Sequence, residues 1–93
     1  MIRHTVMFTW KPEATEEQIK RVPQELSRLP DIIPSLKAYV MGTDIGVDDG
    51  NWQFAITADV DDLAGYIAYR DHPTHRAIIA EHIRPIIATR AAV

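Results

Sequence analysis

The sequence predicts an α+β domain with the element order β-α-β-β-α-β. Three observations carry the prediction. Apolar and other residues alternate over 2–10, 35–43 and 52–60, two intervening stretches carry apolar residues at helical spacing, and an apolar-rich run, 86–93, follows a proline. With 93 residues, 46% hydrophobic and 25% charged, the chain has the make-up of one globular domain around a single core.

The first strand places Ile2, His4, Val6, Phe8 and Trp10 on one face and Arg3, Thr5, Met7 and Thr9 on the other, and Lys11-Pro12 ends it. Thr15-Glu16-Glu17-Gln18 reads as a capping box. A first helix near 15–29 follows, with Ile19, Val22, Leu26 and Leu29 as its apolar stripe. Pro23 lies inside it and predicts a kink or restart there; Pro30 and Pro34 bracket an irregular link. In the second strand Leu36, Ala38 and Val40 oppose Lys37, Tyr39 and Met41. Asp44 through Asn51 is turn chemistry. A third strand follows, with Trp52, Phe54, Ile56, Ala58 and Val60 on one face, and the short turn favours an antiparallel hairpin.

Asp61 or Asp62 caps a second helix carrying Leu63, Tyr66, Ile67 and Arg70. His72-Pro73 interrupts it; Pro73 suits the first position of a new helix running through Ile78, Ile79, His82 and Ile83, which Pro85 stops. The last strand spans Ile86 to Val93. This order specifies a ferredoxin-like split βαβ unit. Its helices cover one face of the sheet. The other face, assigned Met7, Tyr39, Met41, Ala55 and Thr57, is too apolar for a fully wet surface and predicts a homodimer with its sheets face to face.

Charge and composition exclude several classes. Ten Lys and Arg against 13 Asp and Glu give a net charge of −3, with no basic stripe for a phosphate backbone, so no nucleic-acid partner is expected. No apolar run reaches the roughly 18–20 residues that span a bilayer, and the first residues do not read as a signal peptide. The absence of cysteine rules out disulfides and thiolate chemistry. A soluble cytoplasmic domain without membrane contact is expected.

Reactive groups concentrate in Tyr69-Arg70-Asp71-His72-Pro73-Thr74-His75. Tyr69 ends one helix and His75 opens the next, so the break between them could aim a phenol and an imidazole into one cavity. Such a pair can divide acid–base work, the imidazole taking a proton and the phenol stabilising an oxyanion; the same residues could equally serve as caps and packing groups. His4, on the helix-facing side of its strand, is either a hydrogen-bonded core residue or a pocket residue. A metal site from His72, His75 and His82 with Glu81 or Asp71 lacks an i,i+4 histidine pair, and none is expected. Asp44, Asp48, Asp49 and Gly50 lack calcium-loop spacing; Asp59, Asp61 and Asp62 read as caps. Neither serine sits in a nucleophile elbow, and the glycines form no phosphate cradle.

These residues also carry a resemblance. Ile2-Arg3-His4-Thr5-Val6-Met7-Phe8, Ile33-Pro34-Ser35-Leu36, Gly42 and the Tyr69–His75 run, above all its His-Pro-x-His element, resemble the stress-responsive dimeric α/β-barrel (Dabb) family over essentially the whole chain. The resemblance implies a ferredoxin-like protomer and a dimeric α/β barrel. Within the family the chain is similar to polyketide cyclases of the olivetolic acid cyclase type, which close β-keto chains by aldol condensation without a cofactor. That similarity implies Tyr69 and His75 as catalytic residues, His75 as base and Tyr69 as carbonyl polariser. A substrate pocket is then expected between sheet and helices. His4, Val6, Phe8 and Phe54 would line it from the strands, and Ile19, Val22, Leu26 and Ile79 from the helices. Two alternatives stand beside this cyclase or lyase reading. One is a non-catalytic stress-responsive homodimer binding a small hydrophobic ligand. The other is a cofactor-free monooxygenase or isomerase with Trp10, Trp52 and Phe54 around an apolar cavity.

Overall fold

In the computed structural model, which describes residues 1–93, the alternating segments form one four-stranded antiparallel sheet. Its strands are β1 (Ile2–Trp10), β2 (Ala38–Thr43), β3 (Phe54–Val60) and β4 (Ile87–Ala92), in the spatial order β2-β3-β1-β4. β1 is central because both its edges are paired, Val6 lying opposite Ile56 of β3 and Ala92 of β4. Helices α1 (Glu16–Leu26), α2 (Leu29–Ile32), α3 (Leu63–Asp71) and α4 (Pro73–Ile78) complete the ferredoxin-like unit, α4 continuing as a π-helical turn over Ile79–Ile83.

The capping box starts α1: the Thr15 hydroxyl accepts from the Gln18 amide at 3.2 Å, and the Gln18 side chain accepts from the Thr15 amide at 2.9 Å. Contrary to expectation, α1 runs unbroken through Pro23 to Leu26. Pro23 removes one backbone bond, but Val22 and Leu26 on either side of it are 0% and 1% exposed, and that burial holds the turn in place. The restart comes at Leu29 instead, where the expected irregular link is the short helix α2, with Pro30 in its first turn. Asp62 caps α3 through Gly65 N at 2.8 Å.

The sheet turns Val6, Phe8, Trp10, Phe54, Ile56, Ala58 and Val60 into the core, where Val22, Leu26, Leu29 and Ile33 meet them. Phe8, Trp10 and Phe54 form an aromatic cluster with ring centroids 5.6–6.3 Å apart. The β2–β3 hairpin is antiparallel as expected. Gly46 and Gly50 in its loop have φ of 78° and 84°, left-handed values that glycine adopts without strain.

β2 presents the opposite faces from those expected. Ala38 and Val40 are exposed, whereas Tyr39 and Met41 pack against the core, opposite Ala58 and Ile56. Leu36 misled the pattern: it is buried in the turn before the strand, so it sets no parity for the strand, and a one-residue slip inverts every side chain. The open face of the sheet therefore carries Met7, Ala55 and Thr57 with Ala38 and Val40. Trp52 also leaves the core side: β3 begins at Phe54, and Trp52 borders a hollow with Met7, Gly42 and Ala55. Asp59, expected as a cap, is a strand residue opposite Arg3, whose guanidinium donates to both its carboxylate oxygens at 2.8 and 2.9 Å.

Candidate functional site: a cleft between the helices and the sheet

Between α3, α4 and the π turn on one side and β1 and β4 on the other lies a cleft of about 420 Å³. Its sheet wall comprises His4, Val6, Phe8, Ile56 and Arg90, and Leu26 reaches it from α1. Its helical wall includes Tyr66, Tyr69, His75, Ile79 and Ile83. The period of β1 brings His4, Val6 and Phe8 to this wall together. The wider π turn brings Ile79, Ala80, Ile83 and Arg84 to the same cleft, closing with the Arg84 amide on the Ile79 carbonyl at 2.8 Å.

Pro73 produces the central arrangement. Breaking the helix after Asp71 lets the His72 Nδ1 cap α4 by accepting from the Thr74 amide at 3.1 Å, and it folds His75 back over Tyr69. The two rings stack, centroids 4.3 Å apart at 28°. The contact is face to face rather than a hydrogen bond. The Tyr69 hydroxyl instead meets the Tyr39 hydroxyl at 3.2 Å, and the His75 Nδ1 lies 3.0 Å from the Arg70 carbonyl. A carbonyl only accepts, so Nδ1 carries the proton and the neutral ring keeps its lone pair on Nε2.

Burial is the main cause of the electrostatics here. It lowers the His75 pKa below the ordinary imidazole value, the Arg76 and His4 charges add to this, and the Arg70 and Tyr69 carbonyls oppose it. It likewise lowers His4, helped by the Arg90 charge. Burial raises both Tyr69 and Tyr39, Tyr39 the more strongly, so both phenols are protonated near neutrality. His4 packs edge-on against Tyr66, centroids 5.1 Å apart.

Of the residues expected at the site, Tyr69, His75, His4, Val6, Phe8, Leu26 and Ile79 border this cleft. Three do not. Val22 and Phe54 are buried in the core, Phe54 also bordering the hollow beside Trp52, and Ile19 borders a separate hollow with Trp10 and Gln53. Trp10 is likewise a core residue, so none of Trp10, Trp52 and Phe54 faces the cleft. His82 stands apart, nearest to Glu25 and Glu81, and no three His, Asp or Glu side chains gather as a ligand set. The sequence reading missed Tyr39, hidden by the β2 parity, and the arginines at positions 70, 76, 84 and 90, which also line the cleft or its mouth.

Fold and cleft together define a ferredoxin-like α+β protein with a mixed polar and apolar cavity between its helices and its sheet. More particularly, the chain belongs to the Dabb family, the stress-responsive A/B barrel domain, which it matches over residues 2–93. Its fold recurs in a dimeric ferredoxin-like protein of unknown function from Thermobifida fusca, at 46% identity and a TM-score of 0.90 over 98% of this chain and 85% of that one. A Dabb family protein from Mesorhizobium loti superposes with a TM-score of 0.80 at 24% identity, over 98% of this chain and 90% of that one. The hydroxynitrile lyase of Passiflora edulis shares the fold at 21% identity and a TM-score of 0.83, over 98% of this chain and 87% of that one. No curated protein matches the chain at a significant level.

Proposed function

We propose that the cleft is the site of cofactor-independent acid–base chemistry, of the aldol cyclase or lyase kind, on a small β-keto or aromatic polyketide-like substrate. The observation that carries this reading is the Tyr69–His75 stack, with Nδ1 fixed on the Arg70 carbonyl and both residues lining the cleft. His75 Nε2 takes the proton from the carbon between two carbonyls, and the released electron pair moves onto a carbonyl oxygen as the enolate. That carbon then attacks a second carbonyl, whose π bond breaks as the C–C bond forms, and the resulting alkoxide takes the proton back from His75. Tyr69 donates a hydrogen bond to the developing oxyanion. With Tyr39 as the donor in its 3.2 Å contact with the Tyr69 hydroxyl, the Tyr69 proton is free for the substrate. The lyase from Passiflora edulis supports the reading, since it is an enzyme on the same fold. The dimeric Thermobifida fusca protein supports a homodimer, which we place on the open sheet face.

The test is an NMR titration with β-diketones, phenolic acids and acyl thioester analogues, followed by turnover assays on whichever class binds. Saturable shifts centred on His4, Tyr69 and His75 are expected. His75→Asn retains an amide donor for the Arg70 carbonyl and lacks the base, so it should bind but lose turnover by about 100-fold or more. Binding without any turnover that depends on His75 would leave a non-catalytic ligand-binding homodimer in its place.

A further inference from the structure

The chain is net acidic at −3, yet four of its arginines, at 70, 76, 84 and 90, line this one cleft, and no aspartate or glutamate does. The four are not equivalent. Arg70 binds Asp71 at 2.9 Å and lies over the Tyr66 ring at 5.9 Å, and Arg76 shares Asp71 at 3.3 Å. Arg84 and Arg90 pair with no carboxylate.

Arg90 is the more informative of the two. Its β4 neighbours Thr89 and Ala91 lie opposite Thr9 and Met7, on the open face of the sheet, whereas Arg90 lies opposite Phe8 and so points to the helical side. Arg90 is exposed where it borders the cleft, so its guanidinium meets solvent there, and no carboxylate of the chain occupies it. Its charge is felt at both His4 and Tyr69. Around it the cleft is mostly apolar, with Val6, Phe8, Ile79 and Ile83 among its walls.

We infer that the cleft takes a small organic acid, its oxyanion held by the guanidinium of Arg90 with support from Arg84 and its apolar body laid against Phe8 and Ile79. A guanidinium matches the two oxygens of a carboxylate in a planar fork and also binds phosphate, so the shared chemistry is the oxyanion. This assignment rests on the cleft being a ligand site, as proposed above, but not on turnover there.

The experiment measures dissociation constants by calorimetry for unreactive probes: 3-phenylpropanoate, its methyl ester and phenyl phosphate. Wild-type protein should bind the acid at least about tenfold more tightly than the ester. Arg90→Gln should abolish that preference, bringing the affinity for the acid down to that for the ester, and Arg84→Gln should reduce it in part. Stronger binding of phenyl phosphate than of the acid would assign the oxyanion to a phosphate; the reverse would assign it to a carboxylate. Equal affinity for acid and ester, or a preference that survives Arg90→Gln, overturns the oxyanion site and leaves the cleft as a ligand site. Absence of binding by all three probes overturns both. A full acid preference in His75→Asn shows that the anion site stands whatever becomes of catalysis.

Discussion

The Nδ1 of His75 lies 3.0 Å from the carbonyl oxygen of Arg70, five residues earlier across the Pro73 break. One contact thereby satisfies a carbonyl in the last turn of α3 and orients the ring, and it leaves only Nε2 free for proton transfer. The helix interruption is thus part of the site's construction.

From this follows a pH effect on stability. His75 and His4 both have folded-state pKa values below the ordinary histidine value of 6.5. As pH falls below about 6.5, the unfolded chain takes up these protons before the folded one does, so stability falls with acidification and is recovered as pH rises again. Urea unfolding at pH 7.5 and 5.5 should show the wild type losing stability at the lower pH and His75→Asn losing less. Identical losses would mean that His75 is not held neutral by the fold.

Tyr69→Phe and Tyr39→Phe separate donor from support. Each removes one partner of a single hydroxyl contact and should cost about 1 kcal/mol in stability. Tyr69→Phe should lower turnover by about 100-fold or more. Tyr39→Phe, which removes only the hydroxyl that meets Tyr69, should lower it less. Equal turnover losses would show that Tyr39 itself meets the substrate.

On the open face, Val40 is 63% exposed and Met7 is 36% exposed in the isolated protomer. Met7→Lys and Val40→Lys should shift the proposed dimer toward monomer in sedimentation velocity without changing the far-ultraviolet spectrum. A dimer that survives both substitutions would have to use another surface.

The capping box predicts its own cost. Thr15→Ala should lower stability by about 1 kcal/mol, or a melting temperature lower by roughly 4–8 °C for a domain this small. No change in melting temperature would mean that tertiary packing alone sets the start of α1.

Local chemistry made much of this legible. The Thr15 cap, the Pro73 restart and the Tyr69–His75 neighbourhood each lie within a few consecutive residues, and all three are where the sequence places them. What depended on the exact register of the strands was not legible. Tyr39 faces the core only because β2 starts after Leu36, and Arg90 enters the cleft only because β4 pairs Arg90 with Phe8 before the register shifts at Thr9/Trp10. Ile19, Val22 and Leu26 share one helical stripe, yet only Leu26 reaches the cleft, because the rest of that stripe is spent on the core and on a second hollow.

The two tryptophans have fallen on opposite sides of the sheet. Trp10 lies in the core, its indole nitrogen buried without a partner, while Trp52 is half-buried beside Met7 and Ala55. Nature has thereby supplied two optical probes that need no labelling. Emission from Trp10 should be blue-shifted and should report unfolding, and that from Trp52 should respond when a second copy covers the open face. With each replaced in turn by Phe, fluorescence can follow folding and association as separate events in the same sample.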